Sequence, residues 1–320
     1  MYGNSGEEAA AMSRVLVIGA VNMDVGGRSY APLRMADSNP AAVSTSFGGV
    51  GRNIAHNLCL LGVDTSLLTV LGDDGFAAQL RENAREIGLD LSLSPTIKGE
   101  RTSTYLYMLD EQGDMALALS DMDIYRHMTV DFFRERIEEI NGFDMVVLDA
   151  NPPEESLGWL AEHCTVPMVA DPVSTVKAVK LKKVLPKLYA FKPNALEASL
   201  LTGIPVEGET GAEKAADALL ALGMEQVYIS LGARGIFAKN RAGECVRIPC
   251  PKVEVANATG GGDAMVAALT MSLLEKQSLA EAAHNAICAG AFACTAESTI
   301  HPDMSKEAIK TLRKSEENML

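Results

Sequence analysis

Short apolar runs, separated by stretches of helical spacing, constrain this chain more than any other feature. VLVIGA (Val15–Ala20) reads as a buried strand. So do DMVVLDA (Asp144–Ala150), PMVADP (Pro167–Pro172), LYAFKPN (Leu188–Asn194) and QVYISLG (Gln226–Gly232). Between them, Phe76–Ile87, Ser156–His163 and Ala212–Leu222 carry helical patterns. Strand–helix alternation over 320 residues predicts a mainly parallel α/β sheet with helices on both faces. That length suffices for one large domain or two smaller ones.

Two segments break the rhythm. NPAAVSTSFGG (Asn39–Gly49) and TSTYLYMLDEQGDMALALSD (Thr102–Asp121) are rich in alternating, β-branched and aromatic residues. DEQGD in the second is a hairpin signal. Both read as antiparallel strands leaving the main sheet to cover a site as a lid, with lid segments at about 23–48 and 98–121. Residues 1–13 read as a frayed, disordered tail, with no basic region and long apolar run of a secretory signal. No uncharged apolar stretch is long enough to span a bilayer.

The net charge of −14 argues against polymeric nucleic acid and anionic membranes as partners, but not against a small anion held by backbone dipoles. Six scattered cysteines without C-x-x-C pairs fit reduced residues of a cytoplasmic protein. His56, His127, His163, His284 and His301 show no metal-ligand spacing. The lysines of KAVKLKKVLPK (Lys177–Lys187) read as a solvated helix face.

Chemistry concentrates in glycine-rich loops. SFGGVGRNIAHNLCLLG (Ser46–Gly62) places glycines before a helix without the G-K-[ST] of a Walker A loop. It fits a tight turn, or a close backbone approach at Gly48 and Gly49 with the Asn53 amide aimed at a ligand. NATGGGDA (Asn257–Ala264) opens a helix that is apolar nearly all round, and so buried. Its glycines would let backbone N–H groups converge on an anion. Asp263 alone would fit a helix cap. A cap needs no triple glycine, and the combination fits phosphoryl transfer, with Asp263 taking a proton from the attacking hydroxyl. KPNALEA (Lys192–Ala198) puts Asn194 and Glu197 on one face of a first helical turn. That pair fits either a Mg²⁺ site working partly through water or a cap. Asp24 with Asn53 suits a vicinal diol, while Asp24 also fits a turn at a strand end.

In this order VNMD, GGVGRN, KPNALE, SLGARG and NATGGGDA resemble the ribokinase-like (PfkB) carbohydrate kinases over residues 14 to 300. Within that family, Asp37–Gly62 and DPVSTVK (Asp171–Lys177) look most like the pseudouridine kinases, which phosphorylate the ribose 5′-hydroxyl of a C-nucleoside. The resemblance implies a three-layer α/β/α sandwich over 14–320 with a small β-sheet lid that often makes a homodimer. It also implies ATP and Mg²⁺. Asp263 would be the base, and the backbone of Gly260, Gly261, Gly262 and Asp263 the anion hole. Asn22, Asp24, Gly48, Gly49 and Asn53 would hold the ribose, with Asp37 and Lys177 as candidates for the nucleobase or as solvated charges. Asn194 and Glu197 would organise Mg²⁺ and the triphosphate. Ser230, Gly232 and Gly235 would line the nucleotide, and Asn285 would lie near adenine. Asn257 stands where many relatives carry Asp, which weakens the inference of a monovalent cation (K⁺). The family's usual G-A-G-D lacks its alanine here. Ribokinase, another nucleoside kinase, and a nucleoside sensor on a kinase scaffold are the competing readings.

Overall fold

The computed structural model describes residues 13–317. The tail expected at 1–13 therefore falls, apart from Ser13, outside the described residues. The main sheet contains β1 (Arg14–Ile18), β4 (Asp64–Leu68), β7 (Met145–Asp149), β8 (Met168–Asp171), β9 (Ala190–Phe191), β10 (Gln226–Ser230), β11 (Ile236–Asn240) and β12 (Cys245–Ile248). The small sheet contains β2 (Asn22–Ser29), β3 (Ala41–Gly48), β5 (Thr104–Leu109) and β6 (Met115–Asp121).

The main sheet runs in the order β12-β11-β10-β9-β8-β7-β1-β4. It is parallel from β4 to β10 and antiparallel across β10, β11 and β12. Alternating residues of β1 show why its strands read as continuous apolar runs. Val15 and Val17 join one hydrophobic cluster with the Val50–Leu60, Gly261–Leu274 and Leu279–Ala293 helices. Leu16 and Ile18 join the other, with Phe133, Leu157 and Leu160. Both faces are dry, so neither register needs a polar residue.

The small sheet has the order β3-β2-β5-β6. β3 pairs with β2, and β6 with β5, in antiparallel fashion, but β2 and β5 are parallel, which corrects the expectation of wholly antiparallel strands. Each hairpin returns its chain to the main sheet, so two hairpins side by side bring like-directed strands together. The Lys177–Lys187 segment also departs from its expectation. Lys180 Nζ donates to the carbonyls of Ala150, Asn151 and Pro152, and Lys177 Nζ to Asn151 Oδ1, so two of its lysines are tied to the β7 exit.

The carboxyl ends of the parallel strands converge. Asp149 ends β7, Asp171 ends β8, Lys192 follows β9 and Ser230 ends β10. In open parallel sheets this edge is where ligands bind.

Candidate active site

Asp149 builds the floor. Its buried Oδ2 accepts from Ala20 N at 2.7 Å and Gly51 N at 3.1 Å, and its Oδ1 from Asn151 N at 2.8 Å. One carboxylate thereby ties the exit of β1 to the start of the Val50–Leu60 helix and to the β7 exit.

Above it, the Gly261–Leu274 helix begins at Gly260, whose φ of 87° lies in the left-handed region, with Thr299 O packed where a side chain would start. No side chain caps this helix, so Asp263 is not its cap. Asp263 instead points across to the Val50–Leu60 helix, where Asn53 Nδ2 donates to Asp263 Oδ2 at 2.9 Å. Burial, then the neighbouring Asp171 carboxylate, push the Asp263 carboxyl up to about 7, against the Asn53 hydrogen bond and Lys192. A carboxylate poised near neutrality is suited to accept a proton.

Lys192 had no role assigned from sequence, and the structure puts it at the centre. Its ammonium is buried, lies 3.3 Å from Asp171 Oδ2, and stands over Gly262, 3.4 Å from where a β-carbon would be. Coulombic attraction by Asp171, Glu197 and Asp263 outweighs the cost of its burial and holds its pKa above the ordinary lysine value. The ammonium thus persists beside the glycine backbone. The signal available in the sequence was a lysine at the end of an apolar run.

Asn194 and Glu197 form a reciprocal cap: Glu197 N donates to Asn194 Oδ1 at 2.9 Å and Asn194 N to Glu197 Oε2 at 2.8 Å. Glu197 is nevertheless buried, and burial raises its carboxyl. Among the described residues no group of three or more His, Cys, Asp or Glu could hold a metal. Asn194 Oδ1 and Glu197 Oε2 are both engaged in this cap, so a Mg²⁺ ion would meet the pair through its own water.

A cleft of about 620 Å³ opens from this centre, lined by Lys192, Asn194, Ser230, Gly232, Gly261, Gly262 and one face of the Leu279–Ala293 helix. Gly235 is not among its lining residues and instead supports the turn onto Ile248 and Pro249. Asn285 lies outside the cleft. Ile287, Gly290 and Ala291 of its helix face the cleft, whereas Asn285 Nδ2 donates to Ser272 Oγ and Gln277 Oε1 in a separate cavity of about 370 Å³. Asn257 is engaged locally, donating to Glu297 O and accepting from Thr259 N.

β2 and β3 contribute none of the residues that line this cleft. Asn22 Oδ1 accepts from Ser103 Oγ at 2.7 Å. Asp24 packs its carboxylate directly over Gly48, and its Oδ1 is buried with no hydrogen-bond partner. Burial pushes the Asp24 carboxyl to about 6 despite attraction by Arg52. An unpartnered buried oxygen is suited to a ligand hydroxyl. Gly49 precedes the Val50–Leu60 helix and packs on Ala20 and Val21. Lys177 reaches both Asn151 and Met122, next to the small sheet. Asp37 is exposed in the turn between β2 and β3, where its Oδ1 accepts from Ser38 N. Asn22, Asp24, Gly48, Gly49, Asn53, Asp263, Lys192, Asn194 and Glu197 thus share one centre, and Asp37 and Asn285 do not.

This architecture is that of the ribokinase-like kinases. The structure superposes on a carbohydrate kinase from Agrobacterium tumefaciens with a TM-score of 0.83 at 29% identity, covering 95% of this chain and 97% of that one. It superposes on Arabidopsis thaliana ribokinase complexed with ribose and ATP with a TM-score of 0.81 at 21% identity, covering 95% and 99%. The chain belongs to the pfkB family of carbohydrate kinases, whose sequence pattern matches residues 12–307. Pseudouridine kinase of Escherichia coli strain K12 is 36% identical over 292 residues, 91% of this chain and 93% of that one. Family and relative together define a phosphotransferase that acts on an alcohol group of a small sugar or nucleoside.

Proposed function

We propose that this protein is an ATP-dependent kinase that converts pseudouridine to pseudouridine 5′-phosphate. The observation that carries the reading is the placement of Asp263: a buried carboxylate near its neutral point, at the mouth of an uncapped glycine-opened helix, beside the Lys192 ammonium. The choice of acceptor rests on the likeness to the E. coli enzyme.

In this reading the acceptor lies between Asp24 and Asp263. Asn22 and the free Oδ1 of Asp24 hold ribose hydroxyls, and Gly48 and Gly49 let the sugar approach the backbone. Lys177 stands towards the nucleobase. ATP occupies the 620 Å³ cleft, along Ser230 and Gly232. Asp263 accepts the proton of the 5′-hydroxyl. The freed oxygen bonds to the γ-phosphorus as the bond to ADP breaks. The N–H groups of Gly261, Gly262 and Asp263 and the Lys192 ammonium meet the charge on the transferring group. Mg²⁺, held near Glu197 and Asn194 through water, would supply further charge neutralisation on the triphosphate. Water is excluded when the small sheet closes as a lid.

The outer face of that sheet exposes Val43, Met115, Leu117 and Leu119, an apolar surface that supports a homodimer formed through the lid. Among the described residues no helix is long and apolar enough to cross a membrane.

The test is a panel of acceptors (pseudouridine, uridine, adenosine, ribose) with ATP and Mg²⁺, the product located by ³¹P NMR. A 5′-phosphate ester formed fastest from pseudouridine supports the reading. Preference for free ribose rejects the acceptor, and binding of pseudouridine without transfer to any acceptor favours a sensor.

A further inference from the structure

The basic residue within GRN has no assigned role. Arg52 is buried at the start of the Val50–Leu60 helix. Its Nη2 donates to Asn83 Oδ1 at 2.8 Å, on the Gly75–Glu86 helix. Its Nη1 donates to Phe47 O at 3.2 Å and to Asn53 Oδ1 at 3.3 Å, and the guanidinium lies 5.7 Å from the Phe47 ring centroid. On its far side the Asn53 amide donates to Asp263 Oδ2. A hydrogen-bonded line therefore runs Asn83, Arg52, Asn53, Asp263.

The chemistry of this line fixes its direction. A guanidinium only donates, so it must face the amide oxygen, and an ionised carboxylate only accepts, so it must face the amide nitrogen. Without the guanidinium the carboxamide has two nearly isosteric orientations. In the flipped one, Asn53 Oδ1 would face Asp263, an arrangement that holds only when Asp263 carries a proton. We propose that Arg52 is a positioning residue of the kinase: it locks the Asn53 carboxamide so that its NH₂ always faces Asp263, which favours the ionised, proton-accepting form. This rests on the reading of Asp263 as the base.

Other charges act on both ends. Asp171 and Asp149 face Asp263 and disfavour its ionisation, while Lys192 favours it. Asp24 and Cys59 act on Arg52, whose own pKa burial lowers to about 10, so it stays charged at neutral pH. His56 is held neutral by burial and by Arg52, near 4.

A double-mutant cycle separates the line from a simple charge effect. The Asp263 side-chain carbon is titrated by ¹³C NMR in wild type, Arg52→Met, Asn53→Ala and the double variant, alongside the pH profile of kcat/KM. Arg52→Met should raise the Asp263 midpoint by about half to one pH unit, and the acidic limb of kcat/KM should move with it. In the Asn53→Ala background it should add no further shift. Asn83→Ala, which removes only the anchor of the guanidinium, should shift the midpoint the same way by less, and serves if Arg52→Met does not fold. An equal shift in both backgrounds, or none, overturns the proposal. Loss of phosphoryl transfer by wild type on every acceptor would overturn the functional reading instead, and the carbon titration would still decide the role of Arg52.

Discussion

Asn53 Nδ2 and Asp263 Oδ2 meet at 2.9 Å although 210 residues of chain separate them. The contact joins the amino-terminal turns of two helices, each opened by glycine. It makes Asn53 a partner of the proposed base as well as a candidate for the sugar. Replacing Asp263 by Asn should therefore lower kcat by about 10²–10⁴-fold, the range for losing a general base. Pseudouridine binding, measured by calorimetry, should stay within a fewfold of wild type, since Asn22 and Asp24 are untouched. Turnover at the wild-type rate would remove Asp263 from the mechanism.

The same carboxyl sets a pH dependence. Only ionised Asp263 accepts a proton, and its pKa is pushed up to about 7. The kcat/KM profile should therefore fall with decreasing pH below about 7, approaching tenfold per unit. Asp24, near 6, should add a rise in acceptor KM at lower pH. A profile flat from pH 8 to 5 would contradict both.

Stability should move the opposite way. A carboxyl near 7 when folded and near 3.8 in the unfolded chain binds its proton more tightly when folded. Its contribution is fully present below about pH 4 and is lost as pH rises through 7. Asp263→Asn escapes this loss, so the variant should be more stable than wild type at pH 8, by on the order of 2–4 kcal/mol, with the gap shrinking towards pH 4. Urea unfolding at pH 8 and at pH 5 checks it.

Much of this could be read from the chain itself, for local reasons. β7 and β8 fall within their apolar runs because both sheet faces are dry, while β1 starts one residue ahead of its run, at the exposed Arg14, and ends at Ile18. β9 holds only Ala190 and Phe191, although LYAFKPN reads as longer, because Pro193 lacks an N–H and Asn194 already caps the next helix. The glycines and Asp263 were legible as neighbours in sequence. Lys192 and Arg52 were not, because their partners Asp171, Gly262 and Asn83 arrive only through the order of strands and the packing of helices. Asn285 was misplaced because sequence gives a helix its faces but not which face meets the cleft.

The missing alanine of NATGGGDA has a physical reason. A β-carbon on Gly261 would stand 2.9 Å from Cys294 Sγ and 3.2 Å from Gly290 O, so the thiol fills the space a methyl would take. Gly261→Ala should lower stability by about 1–2 kcal/mol, even though alanine is the better helix former. Adding Cys294→Ala should recover most of the loss, read as non-additivity in thermal unfolding. Additive effects would mean that Cys294 is not what excludes the alanine.

Gly48 offers the sharpest separation of acceptor from nucleotide. It pairs with Asn22 across β2 and β3, and Asp24 packs its carboxylate where a Gly48 side chain would begin. Alanine there must push that carboxylate aside, because both its oxygens and its carbon stand within 2.8 Å of the added β-carbon. The free Oδ1 of Asp24 would lose its aim at the acceptor. Losing one hydrogen bond to a charged group costs about 1.5–3 kcal/mol, so KM for pseudouridine should rise by about 10–100-fold. KM for ATP should hold, because neither Gly48 nor Asp24 lines the cleft along Ser230 and Gly232. Steady-state kinetics with each substrate varied in turn gives both values. A parallel rise in KM for ATP would mean that Gly48 supports the whole centre rather than the acceptor side.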